Sequence, residues 1–312
     1  MSSPGLNRSR RQCLLVGASA ALSACAGLPS GPADRVEELA SGRRLTVDEL
    51  LRAARQADVV LLGERHDNPH HHQRRGAFIA ALGAGTVVVA EQLPRGAVVG
   101  PGADTLGRLV AAGFDARAWQ WPQHEALFAP LLAAGVPLRG GNLPLAQVRQ
   151  VAREGAAAWP VDLRDGLSGA PLAAAAQARL AASLVDGHCG QLPLARVAPL
   201  VAAQRARDAA MAQALLASGG RPAVLVAGNG HVALDHGVGQ MLRRWRPALR
   251  VVSVGFAELD AGGAGRAADD PDDASVYTHR WATPPVPRGD PCEGFRMPPP
   301  AAPAASAAQR TV

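Results

Sequence analysis

Short apolar runs alternate along the chain with longer stretches of helical period. Val59-Val60-Leu61-Leu62, Val87-Val88-Val89-Ala90 and Val224-Leu225-Val226-Ala227 are continuous apolar runs rich in β-branched residues. Runs of that length and make-up suit strands buried on both faces of a parallel sheet. The pattern predicts strands at 59–62, 86–91, 137–139, 223–227 and 250–254. Helices are predicted at 47–57, 69–82, 106–112, 125–134, 145–154, 172–185, 194–217 and 237–245. Thr46, with Glu49 three residues on, reads as a capping box for the first helix, and Pro69 suits the first turn of the second. Strands alternating with helices predict an α/β layered fold with a mostly parallel central sheet flanked by helices.

Two of the strands end alike. Leu62 runs into Gly63-Glu64-Arg65-His66, and Ala227 into Gly228-Asn229-Gly230-His231, while the 86–91 strand ends at Glu91. Open parallel sheets bind ligands beyond the carboxyl ends of their strands. The pattern therefore predicts one pocket lined by Glu64, His66, Glu91 and His231. His71, Arg75, Phe78, Ile79 and Leu82 share a helical face, so His71 is expected to face inward. Four of the nine histidines lie between residues 66 and 72, a density that suits transition metals or haem, since neutral imidazole is a good ligand. A solvated helix start capped by Asp67 and Asn68 is the plainer reading of that tract. Arg207 shares an apolar helical stripe with Ala210, Met211, Ala214 and Leu215. It is placed to meet an anionic ligand or a carboxylate, with Glu91 and Asp208 as candidates.

The chain ends read differently from its middle. Arg8, Arg10 and Arg11 precede a short apolar stretch from Cys13 to Ala21, the pattern of an export signal. Leu22-Ser23-Ala24-Cys25 resembles a bacterial lipobox, which makes Cys25 the expected lipidation site, and Ala26 after it favours the outer membrane by resemblance to sorted lipoproteins. The expected organisation is a signal and lipobox at 1–25, a linker at 26–45, an α/β domain at 46–259, a C-terminal extension at 260–297 and a low-complexity disordered tail at 298–312. Cys189 and Cys292 are then left as the cysteines of the mature domain. In an oxidising compartment they form either a disulfide that ties the extension back or two separate thiols.

Charge changes the picture little. The net charge is +6, yet the chain contains no lysine, and no Arg-rich block with interleaved aromatics follows the signal, so nucleic acid is not an expected partner. There is no Gly-x-Ser-x-Gly elbow, P-loop or strand-borne Gly-x-Gly-x-x-Gly, so serine-hydrolase and nucleotide-binding readings lack support.

Gly63-Glu64-Arg65-His66-Asp67-Asn68-Pro69-His70-His71-His72, Glu91-Gln92, Asn142-Leu143-Pro144, His188 to Pro193, Gln204 to Ala212, Gly228 to His231 and Asp290-Pro291-Cys292 together resemble the ChaN-like haem-binding lipoproteins, over roughly residues 46–295. The resemblance implies an outer-membrane lipoprotein that binds haem and assists iron uptake, acting with an outer-membrane haem receptor. It also implies a homodimer sandwiching haem between subunits, and a binding protein in preference to an enzyme. By the same resemblance haem iron is held through a tyrosine. Phe128 stands where the family segment often carries Tyr, which leaves Tyr277 and His124 as the ligand candidates. The wider superfamily, with its erythromycin-esterase-like and Tiki-like members, implies the alternative of a metal-dependent hydrolase. There Glu64 or His66 would activate water with His231 assisting, and Glu91 and Arg207 would hold a divalent metal ion or the transition-state charge.

Overall fold

The structure is a computed structural model that describes residues 31, 34–260 and 274–297. The expected signal, Cys25 and the 298–312 tail lie outside the described residues. A hairpin of β1 (Arg35–Glu38) and β2 (Arg43–Leu45) comes first, followed by α1 (Val47–Gln56), β3 (Val59–Leu62), α2 (Pro69–Leu82), β4 (Val87–Pro94) and β5 (Val98–Val99). Next come α3 (Thr105–Ala111), α4 (Glu125–Ala133), β6 (Leu138–Asn142), α5 (Leu145–Glu154), α6 (Val161–Ser168), α7 (Ala174–Asp186) and α8 (Leu194–Ala217). The chain continues through β7 (Ala223–Val226), α9 (Asn229–Val232), α10 (Val238–Trp245), β8 (Val251–Glu258) and β9 (His279–Thr283).

Among the described residues the strands form one nine-stranded sheet, ordered β2-β1-β9-β8-β3-β7-β4-β6-β5. The run from β9 to β6 is parallel, and β1, β2 and β5 are antiparallel to their neighbours. The expected α/β layered architecture is the observed one. Side chains alternate across the sheet with period two. Val60, Leu62, Val88, Ala90, Val224 and Val226 pack under α1, α2 and α4. Val59, Leu61, Val89 and Leu225 pack under α6, α8 and α10. The central strands are thus buried on both faces, which is why they read as unbroken apolar runs.

Two expectations are corrected here. Residues 35–45 are not a linker: β1 pairs onto β9, with Val36 opposite Trp281, and β2 pairs onto β1, while Trp281 is buried against Phe78 and Phe256. Nor does the sheet end at residue 259, because β9 lies in the expected extension. Both strands are short and polar-rich, and only pairing with distant strands makes them strands.

The capping box at α1 is present. Thr46 Oγ1 accepts from the Glu49 N–H at 3.2 Å, and Glu49 accepts from the Thr46 N–H at 2.7 Å. Asn68 caps α2 by accepting from the His70 and His71 N–H groups.

Candidate functional site

The ends of β3, β7, β4 and β8 deliver Glu64, His231, Glu91 and Glu258 to one edge of the sheet. β7 lies between β3 and β4 although it follows both in the chain, so the two Gly-x-x-His segments become neighbours. Gly63 is required at this junction. A Cβ there would collide with Asn229 Oδ1 and come within 3.1 Å of the Val254 carbonyl oxygen. Asn229 in turn stitches the second segment to β8, donating to Phe256 O (2.7 Å) and accepting from its N–H (3.0 Å).

Glu64, His66, Glu91 and His231 all line one pocket, and their hydrogen bonds form two networks, one on each face of the sheet edge. The divide falls between Glu91 and Gln92, where the pairing of β4 with β6 shifts register. Successive strand side chains point to opposite faces, so Glu91 follows Val89 toward α8 and Gln92 follows Ala90 toward α2.

On the α8 face, Arg207 Nη2 donates to Glu91 Oε1 at 2.5 Å, and the Gly228 N–H donates to Glu91 Oε2 at 2.8 Å. Arg207 is steadied by Asn142 Oδ1 (3.0 Å) and Gln204 Oε1 (3.2 Å). His231 Nδ1 donates to Asp208 Oδ1 at 2.5 Å, and its Nε2 lies 3.4 Å from Glu91 Oε1. Asp208 therefore pairs with His231 and not with Arg207. Burial works against charge on His231, but Glu91 and Asp208 outweigh it and raise its pKa above the usual imidazole value. Burial likewise opposes charge on Glu91, yet His231, Arg207 and His66 together hold its pKa well below the usual range. Gln204, Arg207 and Asp208 stand at i, i+3 and i+4 of α8, a spacing that could have signalled the shared face of Gln204 and Asp208 from sequence.

On the α2 face, Glu64 is fully buried. His66 Nδ1 donates to Glu64 Oε1 at 2.7 Å, Gln92 Nε2 donates to the same oxygen at 3.3 Å, and Arg75 Nη2 abuts Oε2. His72 gives its Nε2 proton to the His66 carbonyl (2.9 Å), and His124 gives its Nδ1 proton to the Trp119 carbonyl (2.9 Å). Their bare nitrogens turn toward Glu64, at 3.0 Å for His72 and 3.8 Å for His124. Burial lowers the two pKa values to about 4 and about 3, so both rings are neutral. Glu64, His72 and His124 thus present donors within 4.8 Å of one another, a set that could hold a transition metal. The fully buried Arg75 guanidinium competes for that place, since it contacts Glu64 and donates to His72 Nδ1 at 3.1 Å.

Three expected ligand residues are corrected. His71 is buried but faces no pocket: it accepts from the Arg65 N–H (3.0 Å) and donates to Ala257 O (3.2 Å), and burial lowers its pKa to about 3. Tyr277 is buried, its hydroxyl donates to Asn229 O at 3.2 Å, and burial raises its pKa, so it presents no oxygen to a ligand. His124 is buried behind Trp119 with its free nitrogen aimed at Glu64, not at solvent. Phe128 is also buried, within the core beneath α4.

His66 differs from these. Its side chain is 51% exposed, and it meets Trp119 edge-on at a ring-centroid distance of 5.4 Å. It lies on the rim of a polar pocket of about 690 Å³ that contains Glu91, Arg207, His231 and Glu258. Trp119 and Arg207 also line an adjoining groove of about 420 Å³ floored by Leu93, Pro94, Leu143 and Val148. Sequence reading missed Trp119 because the segment between α3 and α4 has no periodicity.

The Cys189–Cys292 disulfide is formed across a sequence separation of 103 residues. No helix among the described residues is long and apolar enough to cross a membrane.

The sequence matches, over residues 50–242, the family described as haem-binding uptake, Tiki superfamily, ChaN. The structure is similar to that reported as cofacial heme binding to ChaN of Campylobacter jejuni, with TM-score 0.62 and 16% identity, covering 80% of this chain and 96% of that one. The type III effector HopBA1 is more distant, at TM-score 0.40 and 15% identity over 76% of this chain and 93% of that one. A mutant of the erythromycin esterase EreC in its open conformation gives TM-score 0.36 and 15% identity over 72% of this chain and 76% of that one. No protein of curated function matches the sequence.

Proposed function

Because the chain belongs to the ChaN family of haem-binding uptake proteins in the Tiki superfamily, we propose that haem is its cargo and that His66 is the residue that meets the iron. The observation that carries this reading is the state of His66. It is a half-exposed imidazole on a ligand-sized depression, and Glu64 accepts a hydrogen bond from its Nδ1, which leaves Nε2 as the nitrogen that can face a ligand. A carboxylate behind a ligating histidine fixes its tautomer and raises its basicity. The other strong haem donors near this edge are committed elsewhere: Tyr277 to Asn229, His231 to Asp208 and Gln204, His124 to the interior, and Cys189 to Cys292.

The residues present fit the group. A porphyrin needs an apolar wall, an axial base and cations for its propionates. Trp119, Leu93, Leu143 and Val148 provide the wall and His66 the base, while Arg207, between groove and pocket, is already paired with Glu91. The proposal extends to export and lipid anchoring at the outer membrane through Cys25, to a homodimer, and to delivery through an outer-membrane haem receptor. The lipobox-like Leu22-Ser23-Ala24-Cys25 supports the anchor, and the disulfide supports an oxidising compartment.

Haem titration of the domain from Ala26 onward, followed by absorbance, tests the reading. A saturable Soret band that shifts in His66→Ala is expected. The absence of any Soret change in the wild-type domain would overturn haem binding, and an unaltered spectrum in His66→Ala would overturn the ligand assignment alone. For the anchor, radiolabelled palmitate should enter the full chain and not Cys25→Ala.

The hydrolase reading rests on two carboxylate–imidazole pairs, Glu64–His66 and Asp208–His231, facing one pocket. The geometry favours it less: Asp208 and Glu91 favour the charged form of His231, and Arg207 already neutralises Glu91, so general-base chemistry would fall mainly to His66.

A further inference from the structure

Residues 284–297 carry no helix or strand, and none of them is buried. This stretch leaves β9 and is fastened to the body at two points, each beside residues that line the polar pocket. At the first, Arg288 clamps Glu258 at the end of β8 (Nη1 and Nη2 both at 2.7 Å) and Asp67 after β3 (Nε at 2.6 Å, Nη2 at 3.1 Å). At the second, Cys292 is bonded to Cys189 in the α7–α8 connection. Asp67 and Glu258 line the pocket on the clamp side, Ser183 and Gly187 line it on the disulfide side, and Pro291 lines it between the two anchors.

We propose that residues 284–297 form a strap over the mouth of this pocket, and that the Cys189–Cys292 bond is a thiol-releasable fastening that controls access beneath it. A segment that buries no side chain gains little from the hydrophobic effect, so its attachments decide where it lies. The Arg288 clamp is one-quarter exposed on the arginine side and is weakened by water and salt. Beyond the disulfide, the Cys292 end has two exposed hydrogen bonds to the body, from Gln191 Nε2 to Phe295 O (3.0 Å) and from the Met297 N–H to Gln191 Oε1 (3.4 Å). Both compete with water. The covalent bond therefore dominates at that end, and cutting it frees the strap to swing about the Arg288 clamp.

The chemistry is thiol–disulfide exchange with a dithiol reductant. One thiolate of the dithiol attacks a sulfur of the Cys189–Cys292 bond to form a mixed disulfide. The second thiolate then resolves it, leaving two protein thiols and an oxidised dithiol, with two electrons and two protons transferred.

Hydrogen exchange read by mass spectrometry tests this without any ligand. Oxidised protein is compared with protein reduced by dithiothreitol and with Cys189→Ser, while Arg288→Ala is measured in the oxidised state. On reduction, exchange in 284–297 and in the pocket loops 64–68 and 228–231 should accelerate on the order of tenfold, with β7 unchanged. Cys189→Ser should reproduce this, and Arg288→Ala should loosen the clamp end alone. Unchanged exchange in the pocket loops after reduction would overturn the proposal, and so would equal acceleration in β7, which would mark the disulfide as a global staple and not a gate.

Discussion

The guanidinium of Arg207 meets the carboxylate of Glu91 at 2.5 Å, although one comes from mid-helix and the other from a strand end 116 residues earlier. Glu91 is fully buried, and its remaining oxygen is held by the Gly228 N–H. Removing the arginine would strand a buried charge beside Asp208. Arg207→Ala is therefore expected to destabilise the fold by about 3–5 kcal/mol, and Glu91→Gln by clearly less. Urea denaturation of the two variants measures the difference.

His71, His72 and His124 are held neutral, with folded-state pKa values lowered to about 3, about 4 and about 3. Burial is the largest cause for each. The unfolded chain takes up these protons near pH 6.5, and the folded protein does not until the pH is far lower. Stability should therefore be full above pH 6.5 and fall as pH drops toward 4, by about 2 kcal/mol per histidine at pH 5. His231, whose pKa is raised, acts in the opposite sense and loses its contribution as pH rises. Urea midpoints at pH 7, 6 and 5 should show the net decline.

Arg75 takes the place that a cation would occupy between Glu64, His72 and His124. Dialysis against a chelator is expected to leave the wild-type Tm unchanged. In Arg75→Ala the three donors lose their internal cation, so added Zn²⁺ should raise the Tm of that variant and not that of the wild type. Differential scanning fluorimetry with and without the metal reads both outcomes.

Trp119 forms a wall shared by the groove and the His66 rim but carries no ion pair. Trp119→Ala should weaken haem binding by about tenfold, or roughly 1.4 kcal/mol, while the Soret maximum stays in place because the axial base remains. Titration followed by absorbance distinguishes lost affinity from a changed ligand.

Gly63→Ala should destabilise by at least about 1–3 kcal/mol, because its Cβ would meet Asn229 Oδ1 and the Val254 carbonyl, neither of which can move without opening the β7–β8 junction. A matched Gly230→Ala, where nothing lies within 4 Å of the new carbon, should cost little. Thermal denaturation of the pair provides the comparison.

The sequence alone determined the central strands, most of the helices and the edge of the sheet at which chemistry gathers. Unbroken apolar runs such as Val59–Leu62 are legible because both faces of a parallel strand must be buried, and Thr46 with Glu49 is legible because a capping box is local. β1, β2 and β9 were illegible because their strand character comes only from each other and from β8. At the site, sequence could place Glu64, Glu91, His66 and His231 on one edge, but only the tertiary structure divided them. Successive side chains point to opposite faces, so Glu91 turns to Arg207 and α8 while Gln92 turns to Glu64 and α2. The fate of each histidine was likewise a tertiary decision. His71 and His66 lie five residues apart, yet packing buries one against backbone groups and leaves the other half open to solvent. Spacing records which residues share a face. It does not record what is packed on that face, and burial is what separates a structural imidazole from a ligand.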